Sequence, residues 1–312
     1  MDPEQTEALI AALKGPQPVE RARAARMLGI QRAPAASQHL LRALNDPEEI
    51  VRWSVASALG KLADSSTVPQ LLEAFTGTDP SVRVFVAAAL GGIGDARAIE
   101  PLASALDSAD EELRLQIAAA LARLGDRRAL DPLIAAAAES DFRVRCSAVI
   151  ALGKLGSRAA GQSLRRALQD VNKEVRWRAA EALGRLPSPE SVELLISACS
   201  DEDGYLRSAA AEALGMHEDP SAISPLMALL EDESKYVRRA AVVELGKLGC
   251  HRATPSMLPL LFDHSRGVRW RTAAALGRLG DPRAAGALRK ALEDPDAPVA
   301  DHAREALRKI EG

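Results

Sequence analysis

Cysteine and histidine are the side chains here that could supply a nucleophile, a general base or metal ligands, and both are scarce. The 312 residues include three cysteines, Cys146, Cys199 and Cys250, and five histidines whose spacing does not repeat. An odd number of scattered cysteines opposes a disulfide framework and is typical of a reducing compartment. No phosphate-binding loop, dinucleotide-binding glycine fingerprint or nucleophile elbow occurs. We therefore predict no catalytic, cofactor-binding or metal-binding residues, and the sequence favours a protein that is not an enzyme.

Arginine is the polar side chain that recurs at a fixed spacing. It stands once every 31 residues, in a pattern that reads roughly Val-Arg-x-x-Ala-Ala-x-Ala-Leu-Gly. The series is Arg21, Arg52, Arg83, Arg114, Arg145, Arg176, Arg207, Arg238 and Arg269. A fixed period of this length predicts a solenoid of stacked units, each of which buries its apolar face against its neighbours. An arginine present in every unit suits the scaffold better than one binding site.

Each unit is predicted to be a hairpin of two helices, A and B, because capping residues recur in phase. Gly94 is expected to be a left-handed C-cap of a helix B. Residues able to cap the start of helix B are Asp79, Asp110, Asp141, Asn172, Asp203, Ser234, Ser265 and Asp296. Residues able to cap the start of helix A are Asp64, Asp95, Asp126, Ser157, Ser188, Asp219 and Asp281. Both sets consist of side chains that accept hydrogen bonds from free helix-end amides.

A glycine also recurs inside helix B, where it costs up to about 1 kcal/mol against alanine. The row is Gly29, Gly60, Gly91, Gly153, Gly184, Gly215, Gly246 and Gly277. Because this loss of helix stability recurs in every repeat, we expect a structural reason for it. We predict that a neighbouring helix approaches closely at each glycine.

The predicted fold class is all-α, an α-solenoid that forms a right-handed superhelix of about ten helical hairpins of 31 residues each. The phase of the repeat never slips, so residues 1–312 are expected to form a single domain. The repeat units lie at about 4–31, 32–62, 63–93, 94–124, 125–155, 156–186, 187–217, 218–248, 249–279 and 280–312.

Charge and hydropathy exclude several classes of partner. Lysine plus arginine number 40 and aspartate plus glutamate 43, giving a net charge of −3, so the chain as a whole is not a nucleic-acid-binding polyelectrolyte. The N-terminus lacks the features of a signal peptide, and no apolar stretch is long enough to span a membrane. We expect a cytoplasmic protein that binds neither nucleic acid nor membrane.

The pattern Val-Arg-x-x-Ala-Ala-x-Ala-Leu-Gly-x-Leu-Gly-Asp, followed by Ala-Leu-x-Pro-Leu, resembles the short HEAT-like repeats of phycobilisome bilin lyases and of many prokaryotic interaction proteins. The resemblance covers essentially the whole chain. It implies that the A helices line a convex face and the B helices a concave, ligand-binding face. It also implies that the repeated arginine binds acidic or carbonyl groups in turns between repeats. Aspartates recur six residues before it, at Asp46, Asp170, Asp201, Asp232 and Asp263, and Asp294 occupies the same repeat position before Ala300.

Variable positions on helix B are the candidate binding residues. The residue after each arginine is apolar from Trp53 through Val84, Leu115 and Cys146 to Trp177. If this row faces solvent, it predicts an apolar groove of the kind that marks a binding site. The alternative, which the sequence leaves open, is that these side chains are half-buried against neighbouring repeats.

The next row adds Phe85 to the apolar half of the chain and two arginines to the other half. Arg178 follows Trp177, Arg271 follows Trp270, and Arg239 lies between them. Tryptophan and arginine are favoured interface residues. The predicted partner-binding residues are Trp53, Val84, Phe85, Leu115, Trp177, Arg178, Arg239, Trp270 and Arg271.

A secondary basic stripe lies nine residues after the repeated arginine. It consists of Lys61, Arg123, Lys154, Arg185, Lys247 and Arg278. Cations near helix C-termini are stabilised by about 0.3–1 kcal/mol through the helix dipole, so this stripe is explained by helix stability as well as by binding.

Two functions are consistent with these observations. The first is a non-enzymatic protein-binding or assembly scaffold that grips a partner protein, with an apolar then acidic segment, on the B-helix face. The alternative is a bilin lyase, lyase subunit or chaperone acting on a phycobiliprotein, which the family resemblance implies.

Overall fold

The structure is a computed structural model that describes residues 3–77, 80–106, 110–186 and 188–312, with all their side chains except those of Ser81 and Glu111. This part of the chain contains twenty α-helices and no strand, which confirms the all-helical prediction. The chain divides into two compact units, the first ending at Ser157 and the second beginning at Arg158.

The helices alternate between the predicted A and B types, with odd numbers for A and even numbers for B. In the first unit they are α1 (Pro3–Ala12), α2 (Pro18–Ile30), α3 (Ser37–Ala43), α4 (Glu49–Leu62), α5 (Val68–Phe75), α6 (Pro80–Ile93), α7 (Ile99–Ala105), α8 (Glu111–Leu124), α9 (Leu130–Ala136) and α10 (Phe142–Leu155). In the second unit they are α11 (Gly161–Ala167), α12 (Lys173–Gly184), α13 (Pro189–Ala198), α14 (Gly204–His217), α15 (Ile223–Ala228), α16 (Lys235–Lys247), α17 (Thr254–Met257), α18 (Arg266–Leu279), α19 (Ala285–Ala291) and α20 (Ala297–Glu311). Each A helix packs against the B helix that follows it, which confirms the predicted hairpins.

Short 3-10 turns accompany the A helices. Eight of them lead directly into an A helix: Pro34–Ala36, Ser65–Thr67, Ala96–Ala98, Arg127–Ala129, Arg158–Ala160, Pro220–Ala222, His251–Ala253 and Pro282–Ala284. Two more, Leu229–Glu231 and Leu258–Phe262, follow α15 and α17. Aspartates predicted to cap helix A therefore cap the 3-10 turn instead, as Asp95 does by accepting the amide of Arg97.

The predicted B-helix caps are confirmed in part. Side chains accept a hydrogen bond from a first-turn amide at Asp110, Asp141, Asn172 and Asp203. Ser234, Ser265 and Asp296 occupy the N-cap position with extended backbone, but their side chains make no capping bond, so the prediction is wrong there. Asp79 lies outside the described residues. Gly94 has the predicted left-handed conformation, with φ +78°.

Glycines inside the B helices allow successive B helices to approach closely, as predicted. Within each unit, every B helix packs against the next one. A β-carbon added to Gly277 would lie 2.7 Å from Cα of Ala306, and one added to Gly91 would lie 2.6 Å from Cα of Ala120. Real β-carbons do not approach that closely, so these positions exclude any larger residue.

The repeated arginine joins its own turn to the turn of the next repeat. Nη1 of Arg238 donates to the carbonyl oxygens of Asp232 and Glu233, at 2.7 and 3.0 Å. Nε and Nη2 of Arg238 donate to the two carboxylate oxygens of Asp263, at 2.7 and 2.9 Å. The same clamp is made by the pairs Arg21–Asp46, Arg207–Asp232 and Arg269–Asp294. These contacts confirm the structural role assigned to the arginine.

We expect Gly277→Ala to lower the free energy of unfolding by about 1–3 kcal/mol, because the added methyl overpacks the contact between α18 and α20. Gly286→Ala is the matched control, since its β-carbon would meet nothing within 4 Å on the exposed side of α19. That control should stabilise the protein by up to about 1 kcal/mol, because alanine is the better helix former. Urea unfolding followed by circular dichroism measures both, and equal effects would contradict the close-packing account.

We expect Asp263→Ala to cost about 2–3 kcal/mol at pH 7, because Arg238 keeps its charge in a largely buried place without its carboxylate. Burial raises the pKa of Asp263, but the hydrogen bonds from Arg238 and from the amide of Ser265 lower it by more. The pKa of Asp263 is therefore below its usual value. A depressed folded-state pKa stabilises the protein above the unfolded pKa, and this stabilisation is lost as the pH falls.

The loss of stability caused by Asp263→Ala should therefore become smaller as the pH falls from about 5 to 2. Glu190→Ala, which breaks the exposed Arg165–Glu190 pair, is the control and should cost less than about 1 kcal/mol. A pH-independent loss at Asp263, or an equal loss at Glu190, would show that the clamp is not the stabilising contact.

Candidate functional site

The predicted binding residues lie on the B-helix surface, by which we mean the exposed and half-buried side chains of the B helices. In the first unit, Trp53 is 56% exposed and Val84, Phe85 and Leu115 are half-buried. Half-buried residues in the second unit are Trp177, Arg178, Arg239, Trp270 and Arg271. The basic stripe is exposed at Lys61, Arg123, Lys154, Arg185, Lys247 and Arg278.

The apolar row is not continuous at the surface. Cys146, which the sequence placed in this row, is buried at 7% exposure, as is Ala22 before it. A small side chain at this position sinks between the helices, whereas a tryptophan or leucine reaches solvent. The candidate surface of the first unit is therefore carried by α4, α6 and α8.

A groove of about 360 Å³ lies on this part of the first unit. Trp53, Phe85 and Gln116 line it from three successive B helices, and Lys61 and Arg123 line it from helix C-terminal turns. Its other lining residues are small: Ala56, Ser57, Gly60, Ala88 and Gly92. The groove joins four of the predicted residues, but Val84, Leu115 and Lys154 do not line it.

Two glycines bring α4 and α6 together beneath the groove. A β-carbon on Gly92 would lie 2.7 Å from Cα of Gly60, and one on Gly60 would lie 3.2 Å from Cα of Gly92. At most other contacts a B-helix glycine faces an alanine, so this glycine pair lacks side-chain atoms that those contacts have. The groove floor therefore consists of small residues.

Phe85 is held against the groove by a local change in the arginine clamp. The residue 25 positions after Arg52 is Gly77 instead of an aspartate. Arg52 still donates to the carbonyls of Asp46 and Pro47, at 2.8 and 2.9 Å, but its Nε has no hydrogen-bond partner. Its guanidinium carbon lies 5.7 Å from the centre of the Phe85 ring, a cation–π arrangement that fixes the ring.

Stacked aromatic and guanidinium groups cover the B-helix surface of the second unit. Arg178 lies 3.9 Å from the centre of the Trp177 ring and Arg271 lies 4.3 Å from that of Trp270. Trp270 also contacts His302, with ring centres 5.0 Å apart. Such contacts hold planar groups in fixed orientations.

Two tyrosines belong to this surface and were missed by the sequence reasoning. Tyr205 and Tyr236 are exposed and stacked on each other, with ring centres 6.4 Å apart, and Arg239 lies 5.7 Å from the Tyr236 ring. Each tyrosine stands two positions before a repeated arginine. It therefore stands three positions before the residue that follows the arginine, which is the position of Trp53 in its own repeat. Residues three apart share a helix face, so this spacing could have identified them. The exposed Ile50 occupies the same position next to Trp53.

The three arginines of this surface differ in their charge partners. Arg178, which the sequence grouped with the other two, lies 3.1 Å from Glu181 and 3.9 Å from Glu174, so its charge is compensated. Arg239 and Arg271 form no ion pair with the described residues. Of these three arginines, Arg239 and Arg271 are therefore the ones whose charge is available to an acidic partner.

A carboxylate lies at one B-helix contact, where the other repeats have alanine. Glu244 on α16 is buried, and its carboxylate occupies the space that a β-carbon on Gly215 would need. It is bonded to Lys247 of the basic stripe at 2.7 Å. Burial raises the pKa of Glu244, and the neighbouring Glu212 adds to the shift, while Lys247 and Arg278 oppose it.

The remaining reactive groups show no site in the part of the chain that the structure describes. No set of three or more histidine, cysteine, aspartate or glutamate side chains is placed to hold a metal there. Cys199 is buried among apolar neighbours, and burial raises its thiol pKa to about 12. No described helix is both long and apolar enough to cross a membrane.

Comparison with known proteins identifies the fold. The family model described as HEAT repeats matches residues 6–79, 39–121, 68–145, 99–171, 162–234 and 223–308. No curated protein matches the chain.

Three solved structures share the fold at low sequence identity. An engineered protein is 21% identical with a TM-score of 0.51, and each chain is covered completely. YibA of Escherichia coli is 20% identical with a TM-score of 0.56, over 91% of this chain and 95% of that one. A chain from the complex of Kap95p with RanGDP is 17% identical with a TM-score of 0.65, over 98% of this chain and 48% of that one. At these identities the likeness concerns the fold, an α-solenoid.

We expect Glu244→Gln to be more stable than the wild type at pH 7, because a raised folded-state pKa makes ionisation cost stability. Below about pH 4 the carboxyl is protonated in both states and the two proteins should differ least. As the pH rises through the folded-state pKa, the wild type alone loses stability. Thermal unfolding at several pH values measures this. Glu193→Gln, exposed on α13, is the control, and the same pH trend in both variants would contradict a specific effect of Glu244.

Proposed function

Because the chain belongs to the HEAT-repeat family, we propose that it is a non-enzymatic scaffold that binds a partner protein on its B-helix surface. The observation that carries this proposal is the groove of the first unit. Its walls, Trp53 and Phe85, are aromatic, its floor consists of small residues, and two exposed cations stand at its edge. Clefts of this size with apolar walls and few polar groups are typical binding sites.

The chemistry of the groove indicates the kind of segment it would accept. An apolar side chain fits between Trp53 and Phe85, where its burial from water is favourable. A carboxylate next to it in the partner would meet Lys61 and Arg123 at the C-terminal turns of α4 and α8. We therefore propose a partner protein with an apolar segment followed by an acidic one. Val84 and Leu115 extend the apolar surface outside the groove.

A protein partner is supported further by what the similar structures contain. One of them is a complex in which Kap95p binds RanGDP. The alternative of a bilin lyase, lyase subunit or chaperone for a phycobiliprotein rests on the sequence resemblance alone. The groove supports the scaffold proposal because its residues offer contacts and charge, not a general acid or a nucleophile.

Affinity capture from the source cells with quantitative mass spectrometry tests the proposal. Trp53→Ala with Phe85→Ala should reduce the captured partner, with a loss of at least about 2 kcal/mol in binding for a hot-spot residue. Lys61→Gln with Arg123→Gln should mainly slow association and reduce its salt dependence, because exposed charges steer encounter. Helicity should be unchanged in both.

Matched controls come from other surfaces of the same chain. Phe262→Ala removes an exposed aromatic ring from the turn after α17, and Arg127→Gln with Arg158→Gln removes two charges from turns before A helices. These variants should capture the partner as the wild type does. Equal capture by groove variants and controls would contradict the proposal.

A further inference from the structure

We propose that Arg239 and Arg271, on the neighbouring helices α16 and α18, together bind a carboxylate from an acidic segment of a partner protein. The inference rests on the proposed function, because it assigns a ligand chemistry to a second part of the B-helix surface. It concerns the second unit only and is independent of the groove in the first.

Both arginines lack an anionic partner in the described part of the chain, although most comparable side chains have one. The repeated arginines of this unit are paired with aspartates, and Arg178 is paired with Glu181 and Glu174. Nε of Arg271 is buried and makes no hydrogen bond. Arg178 has an unbonded Nε as well, so what distinguishes Arg239 and Arg271 is that their half-buried guanidinium groups have no carboxylate partner among the described residues.

The two positive charges also act on each other. Burial lowers the pKa of Arg271, the charge of Arg239 lowers it further, and Glu212 opposes the shift only in part. Two like charges that repel each other at a partly desolvated surface raise the free energy of the unbound protein. A carboxylate placed between them removes that repulsion and gains charge-assisted hydrogen bonds from both sides.

The guanidinium groups are oriented before any ligand arrives. Arg271 lies over the Trp270 ring and Arg239 over the Tyr236 ring. His302 contacts Trp270, and Tyr205 stacks on Tyr236, so each ring has a second support. Planar donors that are already fixed lose less conformational entropy on binding a planar carboxylate than free side chains do.

The surrounding charges favour separate carboxylates over a nucleic acid. Glu174, Glu181, Glu212 and Glu305 lie on the B helices of the same unit and would repel a continuous row of phosphates. The chain as a whole also carries a net charge of −3. A short acidic segment places only one or two carboxylates at the arginines, so it meets less of this repulsion than a row of phosphates does.

The test measures fluorescence anisotropy of three labelled probes. The first is a peptide of leucine and phenylalanine followed by four glutamates, the second has glutamines in place of the glutamates, and the third is single-stranded oligothymidylate. All proteins carry Lys61→Gln and Arg123→Gln, so that the groove of the first unit does not contribute. The glutamate peptide should bind at least about tenfold more tightly than the glutamine peptide.

Arg239→Gln with Arg271→Gln should abolish that preference, while the melting temperature stays equal or rises because the repulsion is gone. Arg166→Gln with Lys290→Gln removes the same charge from α11 and α19 and should retain the preference. The inference is overturned if the two peptides bind equally, if the arginine variant keeps the preference, or if the oligonucleotide binds more tightly than the acidic peptide. If this test fails but the capture of a partner still depends on Trp53 and Phe85, the proposed function stands. If the capture experiment fails as well, the proposed function is contradicted too.

Discussion

A bidentate ion pair between the arginine of one repeat and the aspartate of the next fixes the relation of consecutive hairpins at Arg21, Arg207, Arg238 and Arg269. In the second unit these pairs are linked, because Asp232 accepts Arg207 with its carboxylate and Arg238 with its main-chain carbonyl. Asp263 is used in the same way by Arg238 and Arg269. The same aspartates also bind the amides of their own turns, as Asp232 does for Ser234. In these repeats one aspartate side chain thus orders its own turn and binds the arginine of the preceding repeat.

The clamp sets the register at which the B helices meet, and the surface depends on that register. At most contacts glycine in one B helix faces alanine in the next, so the helices approach closely and side chains at the intervening positions are presented to solvent. Where the pattern changes, the surface changes. Gly60 and Gly92 face each other and open the groove, and Gly77 leaves Arg52 to contact Phe85.

The sequence predicted what repeats and missed what depends on pairs of repeats. Hairpins, the arginine contacts and the close glycine contacts all follow from periodic rows. Periodic rows did not predict three other features: the burial of Cys146, the ion pairs of Arg178 and the place of Gln116 in the groove. Each of these depends on which side chains the fold places beside the residue. Tyr205 and Tyr236 could have been found from their spacing, but their stacking depends on the distance between α14 and α16. The missing side-chain caps at Ser234 and Ser265 have no sequence signal, since serine is a good capping residue.

Site-specific photo-crosslinking tests most directly whether partners bind the B-helix surface. A photoreactive phenylalanine analogue at Gln116 would lie in the groove, and the same analogue at Gln70 would lie on the exposed side of α5, an A helix. The account predicts that irradiation of the chain with its captured partner links that protein at position 116 and not at position 70. Crosslinking at position 70 without any at position 116 would contradict it.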